Sequence, residues 1–136
     1  MPPAESRAEG RAPSWRKRRV LEQAEKLAGA RDRWIGRHRY FYEEDWRYMR
    51  FLVPAGKRVL ELGSGTGEML ARLSPAEGVG VDFSPAMTET ARAKHPHLRF
   101  ITADVERLAH SATPAGPFDV ILMADTVGSL DDCLET

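Results

Sequence analysis

Three features of the sequence predict an α/β fold, a doubly wound parallel sheet preceded by helices. Residues 57–73, KRVLELGSGTGEMLARL, pass from an apolar run through a glycine turn into a short helical pattern. Apolar runs then alternate with helical or loop segments as far as residue 123, the order expected of βα units. Three successive runs end beside an acid, at Glu61, Asp82 and Asp104.

Taken in order, residues 1–13 (MPPAESRAEGRAP) combine Pro, Ala, Gly and charge and are expected to be disordered. Residues 14–53 read as helices. Ser14 is placed to cap the first, running to about Gly29, with Val20, Leu21, Ala24, Leu27 and Ala28 as its apolar stripe. The aromatic, basic stretch RDRWIGRHRYFYEEDWRYMRFLVP gives one or two more helices ending before Pro54, with Trp34, Ile35, His38 and Tyr42 at helical spacing. Most of these aromatics read as core, with Tyr40 or Tyr42 as candidates for part of a lid. Residues 54–136 form the ligand-binding domain. Its strands are VLEL, then GVGVD ending at Asp82, then LRFIT, then FDVILM over 118–123. Ser84–Pro85 is a helix start, a capping hydroxyl followed by proline at the first helical position. ADTVGSLDDCLET begins what reads as another helix.

The glycine turn selects a ligand class. Missing Cβ atoms at Gly63 and Gly65 permit left-handed backbone and close approach of a ligand, while Gly67 opens the helix, whose N–H groups suit an anion. A dinucleotide fingerprint needs glycine at the sixth position, where this chain has Glu68. ELGSGTG instead resembles motif I of the class I S-adenosylmethionine-dependent methyltransferases. GVDFSPAM resembles that family's ribose-acid segment, TADVERL its adenine segment and FDVILMADTVGSLDD its motif IV. A single acid at a strand end is as readily a helix cap or a turn residue; four motifs in order across residues 43–132 carry the resemblance.

The resemblance implies a Rossmann-like sheet and S-adenosylmethionine as cofactor, with site residues carried over position by position. Glu61 orients the loop and favours the cationic end of the methionine moiety. Gly63, Ser64, Gly65, Thr66 and Gly67 form the loop. Asp82 accepts from both ribose hydroxyls, and Phe83 and Met87 sandwich the base. Asp104 accepts from the adenine amine, with Ala103 and Val105 beside it, and Ala124 follows strand four. Methyl transfer needs positioning and water exclusion above all, and a base only when the acceptor must lose a proton. Asp125 is the candidate base, with capping of the following helix as the alternative role. The lead-in FYEEDWRYMRFLVP resembles methyltransferase domains joined to bacterial family 2 glycosyltransferases, which implies a small envelope or glycan-type acceptor.

Other readings are narrower. Residues 1–50 hold 13 Lys/Arg against 8 Asp/Glu, net +5, and residues 51–136 hold 7 against 12, net −5. The basic cluster at 16–19 leaves RNA methylation open as an alternative. ADTVG lacks the Asn/Asp-Pro-Pro-Tyr/Phe segment of adenine amino-methylating enzymes, and Cys133 is misplaced for cytosine C5 chemistry. Ser129 stands where many small-molecule enzymes have a histidine. Glu68 and the Asp104 segment argue against a nicotinamide oxidoreductase. A lone cysteine excludes an intrachain disulfide, and His38, His95, His97 and His110 show no metal spacing beyond His95–Pro96–His97, which reads as a loop. No signal peptide or membrane-spanning run is evident, so the expected location is cytoplasmic. The family sheet has seven strands in order 3-2-1-4-5-7-6, and this sequence supplies four, expected as 3-2-1-4. Strand four is apolar on both faces, so the chain reads as truncated after it. Its open edge invites pairing with another chain, and a non-catalytic binding module working through that edge is the alternative from another class.

Overall fold

The computed structural model describes residues 12–110 and 114–133, with side chains described outside 109 and 110. The sheet is parallel, with strands β1 (Arg58–Leu62), β2 (Glu77–Asp82), β3 (Arg99–Thr102) and β4 (Val120–Leu122) in the order β3-β2-β1-β4. Register runs Leu60↔Val79, Val79↔Arg99 and Leu60↔Ile121. This is the expected order, and it places the reversal between β1 and β4. A ligand crevice belongs at that point, outside the carboxyl ends of the strands.

Three helices precede the sheet: α1 (Trp15–Leu27), α2 (Arg31–Arg37) and α3 (Arg39–Leu52). Ser14 caps α1, its hydroxyl accepting from the Lys17 N–H. The aromatic stretch therefore divides into two helices, broken at His38, whose φ of −109° and ψ of 31° leave the helical region. Helices α4 (Glu68–Arg72) and α5 (Pro85–Lys94) are the crossovers β1→β2 and β2→β3. Ser84 caps α5 by accepting from the Met87 N–H, with Pro85 at the first position.

The two sheet faces are covered differently. Val59, Phe100 and Leu122 pack under Leu70 and Leu73 of the α4 region, Ala91 of α5, and Ile35 and Trp46 from the N-terminal helices. Leu60, Val79, Val81 and Ile101 on the other face meet Val105, Leu108 and Phe118 instead. The winding follows from right-handed crossovers, which put both α4 and α5 on one side as the chain steps from β1 outward to β3. From β3 to β4 the chain crosses through a 3-10 segment (Val105–His110) and a loop. Beyond β4 the expected helix is one 3-10 turn, Val127–Ser129. No helix among the described residues is long and apolar enough to cross a membrane. Residues 1–11, most of the stretch expected to be disordered, lie outside the described residues.

Candidate functional site

The crevice is built from the glycine loop outward. At Gly63 φ is +80°, and a Cβ there would lie 2.0 Å from Thr126 Oγ1. That hydroxyl lies 3.2 Å from the Leu62 carbonyl and 3.0 Å from that of Ala124, so it joins the loop to the segment after β4. Gly65, at φ +54°, faces open space: a Cβ would meet nothing within 4 Å. The loop uses many of its own donors. Gly63 and Ser64 N–H donate to the Val81 carbonyl, Gly67 N–H to Ser64, and Gly65 N–H to Asp82 Oδ2 at 2.9 Å. The anion-binding role expected of the helix N-terminus is thereby reduced, because α4 has five residues and the preceding N–H groups close the turn.

Two connected halves meet at Gly63, Ala124, Asp125 and Arg31. The nucleoside half is lined by Asp82, Phe83, Asp104 and Val105, together with Lys17, Thr126, Ser129 and Leu130. Asp82 accepts from Gly65 N–H on one oxygen and from Ser84 N–H on the other, each at 2.9 Å. Burial raises its pKa, against those two hydrogen bonds. Asp104 is held by Lys17 of α1, whose Nζ lies 2.7 Å from Oδ1 and 2.6 Å from Oδ2 and also pairs with Glu106. Lys17 is 6% exposed. Burial opposes its charge, but the hydrogen bonds it donates to two carboxylates leave its pKa raised.

The loop half is lined by Glu61, Ser64, Gly65 and Thr66 from the strand and turn, with Tyr42, Asp45 and Trp46 of α3 above them. Glu61 is 3% exposed, and its Oε2 has no hydrogen-bond partner. Burial pushes its pKa up to about 8, against a backbone hydrogen bond from Leu70 and with the help of the Asp82 charge. Ser64 Oγ is likewise buried without a partner. Thr66 Oγ1 donates to Asp32 of α2 at 3.2 Å, and Asp32 accepts from Lys94, which also pairs with Glu68. The loop is thus tied to α2, α4 and α5 at once.

Most sequence-predicted positions converge. Glu61, Gly63, Ser64, Gly65, Thr66, Asp82, Phe83, Asp104, Val105, Ala124 and Asp125 line one half or both. Three lie off the crevice lining. Gly67 packs against Phe100 and His95, Met87 is buried on α5, and Ala103 donates its N–H to the Asp82 carbonyl. Asp125, at φ +55°, faces the crevice, and Thr126, not Asp125, takes the cap position of the following turn. Tyr42 lines the loop half, whereas Tyr40 is 81% exposed. Lys17 and Arg31 went unread. Lys17 shares a helical stripe with Leu21, Ala24 and Ala28, and a lysine on an apolar stripe needs a carboxylate. Arg31 carried no comparable signal.

The chain is similar to proteins of known description. A family model described as a methyltransferase domain matches residues 59–134. Demethylmenaquinone methyltransferase from Thermus thermophilus is 41% identical over 81 residues, 54% of this chain and 36% of that protein. Trans-aconitate 2-methyltransferase from Methylobacterium radiotolerans is 42% identical over 59 residues, 40% of this chain and 23% of the relative. The chain therefore spans about a third or less of the length of these curated relatives. An S-adenosylmethionine-dependent methyltransferase from Thermotoga maritima superposes with a TM-score of 0.70 at 27% identity, over 85% of this chain and 52% of the other. Magnesium protoporphyrin IX methyltransferase from Synechocystis, solved with bound S-adenosylmethionine, shares the fold at a TM-score of 0.66 and 17% identity, over 89% of this chain and 67% of the other.

Proposed function

The chain belongs to the class I, Rossmann-like S-adenosylmethionine-dependent methyltransferase family, and from that premise we propose that its crevice binds S-adenosylmethionine for methyl transfer to a small-molecule acceptor. The observation that carries the reading is the buried Oε2 of Glu61, left without a partner beneath a glycine loop whose Gly65 opens onto empty space. A buried carboxyl oxygen lacking a partner is costly, and a cationic ligand removes that cost. The bound cofactor supplies an electrophilic methyl group on a sulfonium. Around it Glu61 faces the ammonium of the methionine moiety, Asp82 receives the ribose hydroxyls with its remaining lone pairs, and Phe83 and Val105 flank the base. Asp104, neutralised by Lys17, keeps acceptor capacity for the adenine amine. Helices α1 to α3 cover the crevice, with Lys17 and Tyr42 on its two sides. Asp125 takes the proton of an acceptor that carries one.

Calorimetric titration of S-adenosylmethionine and S-adenosylhomocysteine tests this, with NADH as the control. Micromolar binding that weakens at least tenfold in Asp82→Ala is the expected result. Binding of NADH with equal strength, or a folded chain that takes up neither ligand, would overturn it. A second reading draws on the free edge of β4, which pairs with β1 alone among the described strands and leaves Ile121 63% exposed. In that reading the domain adds a strand from a partner there. A concentration-independent monomer mass, with or without ligand, would speak against self-pairing through that edge.

A further inference from the structure

Arg31 occupies a position that the cofactor reading leaves unused. It lines the nucleoside half, the loop half and also an outer groove formed with Leu27, Ala30, Arg33, Trp34 and Arg37. That groove encloses about 480 Å³. Three guanidinium groups thus gather within seven residues of α2. Among the described residues, the ion pairs formed by neighbouring cations leave these three out: Lys17, Lys94, Arg39 and Arg47 each meet a carboxylate, while Arg31, Arg33 and Arg37 meet none within 4.0 Å. Arg31 is half-buried, with its guanidinium carbon 5.8 Å from the centroid of Tyr42. Trp34 and Leu27 are 54% and 55% exposed on the same groove.

This is a basic slot with an apolar wall that ends at the crevice. A guanidinium fork binds a carboxylate through two parallel N–H donors, and a flat indole face accepts an apolar or aromatic body. We propose that the methyl acceptor is an anion, a carboxylate carried on an apolar or aromatic skeleton, gripped by Arg31 and laid along Trp34 and Leu27. Arg33 and Arg37 add attraction at the groove's outer end and draw the anion in. The grip holds the acceptor at the crevice mouth beside Asp125, where the two halves meet. The inference rests on the cofactor reading above and names the acceptor class for that site.

The test uses the 136-residue chain saturated with S-adenosylhomocysteine and a matched pair of probes, 4-phenylbutyrate and 4-phenylbutan-1-ol, followed by NMR titration. The carboxylate is expected to bind at least tenfold more tightly than the alcohol, with shifts at the Trp34 indole N–H. Arg31→Gln and Arg31→Ala should remove that preference, and the double variant R33A/R37A should weaken carboxylate binding about threefold with unchanged affinity for S-adenosylhomocysteine. Equal binding of the two probes, or a preference that survives in both Arg31 variants, would overturn the proposal. So would a tenfold loss of S-adenosylhomocysteine affinity in Arg31→Gln with 5′-methylthioadenosine binding intact, which would assign Arg31 to the cofactor's own carboxylate. Failure of the unaltered chain to bind S-adenosylhomocysteine would remove the cofactor reading itself, and the acceptor assignment with it.

Discussion

The two halves of the crevice solve opposite problems. In the nucleoside half the two strand-end acids, Asp82 and Asp104, are answered by the fold. Asp82 receives two backbone N–H groups, and Asp104 and Glu106 share the buried ammonium of Lys17. In the loop half Glu61 and Ser64 each keep a buried oxygen without a partner. The two strand-end acids of one half are satisfied by the chain itself, whereas the other half keeps buried oxygens that the chain does not satisfy. An acid at a strand end therefore has no fixed meaning. Its environment decides whether it serves the fold, the ligand or both.

Breaking the nucleoside half should cost the most. Lys17→Met strips the counter-charge from two carboxylates whose side chains are 22% and 13% exposed. Removing one partner of a buried pair leaves the other uncompensated, so urea unfolding should show a loss of about 3 kcal/mol. A loss below about 1 kcal/mol would mean that solvent already screens the cluster.

The loop half should reveal itself through pH. Below about 4.5 Glu61 is protonated in both the folded and unfolded chain; between 4.5 and about 8 only the folded chain holds the proton. The folded state then binds more protons, so stability falls as pH rises through that window and levels off above it. The decline attributable to Glu61 should be roughly 2–3 kcal/mol between pH 5 and pH 8.5, after allowance for relaxation around a buried charge. Glu61→Gln should lose that component in paired denaturation curves. An unchanged slope in the variant would place its origin elsewhere.

Ligand binding sharpens the contrast further. A cofactor ammonium beside Glu61 favours the carboxylate, so S-adenosylhomocysteine should release a proton fraction approaching one at pH 7. Calorimetry in two buffers of different ionisation enthalpy reads that number directly, and Glu61→Gln should reduce it toward zero. Proton uptake on binding would contradict the ammonium contact.

The smallest effect concerns the tie between loop and cover. Thr66→Val removes the 3.2 Å hydrogen bond to Asp32 but leaves Asp32 paired with Lys94. A loss of about 1 kcal/mol is expected: the acceptor is a carboxylate, but it is well exposed and keeps Lys94 and solvent as partners once the hydroxyl is gone. A much larger loss, measured by the same urea curves, would show that α2 is held on the loop chiefly through Thr66.

What could be read from the chain alone was what neighbouring residues decide among themselves. The apolar run before Gly63, the glycine spacing, the Ser14 and Ser84 caps and Pro85 specify strand, turn and helix from within a few positions. The acids at the ends of the first three strands were equally legible, and with them the sheet order 3-2-1-4 and about half of the crevice lining. Other features depend on residues far apart in sequence. Lys17 meets Asp104 across 87 positions, and Thr126 Oγ1 bonds the Leu62 carbonyl across 64. Whether Glu61 holds a charge depends on α4 closing over it, and Arg31 reaches the crevice only because α2 is tied to the glycine loop. Local conformation follows from short-range sterics and hydrogen bonding, which a sequence displays. Burial and charge pairing are properties of the space between elements, and that space exists only once the crossovers have packed the helices against the sheet.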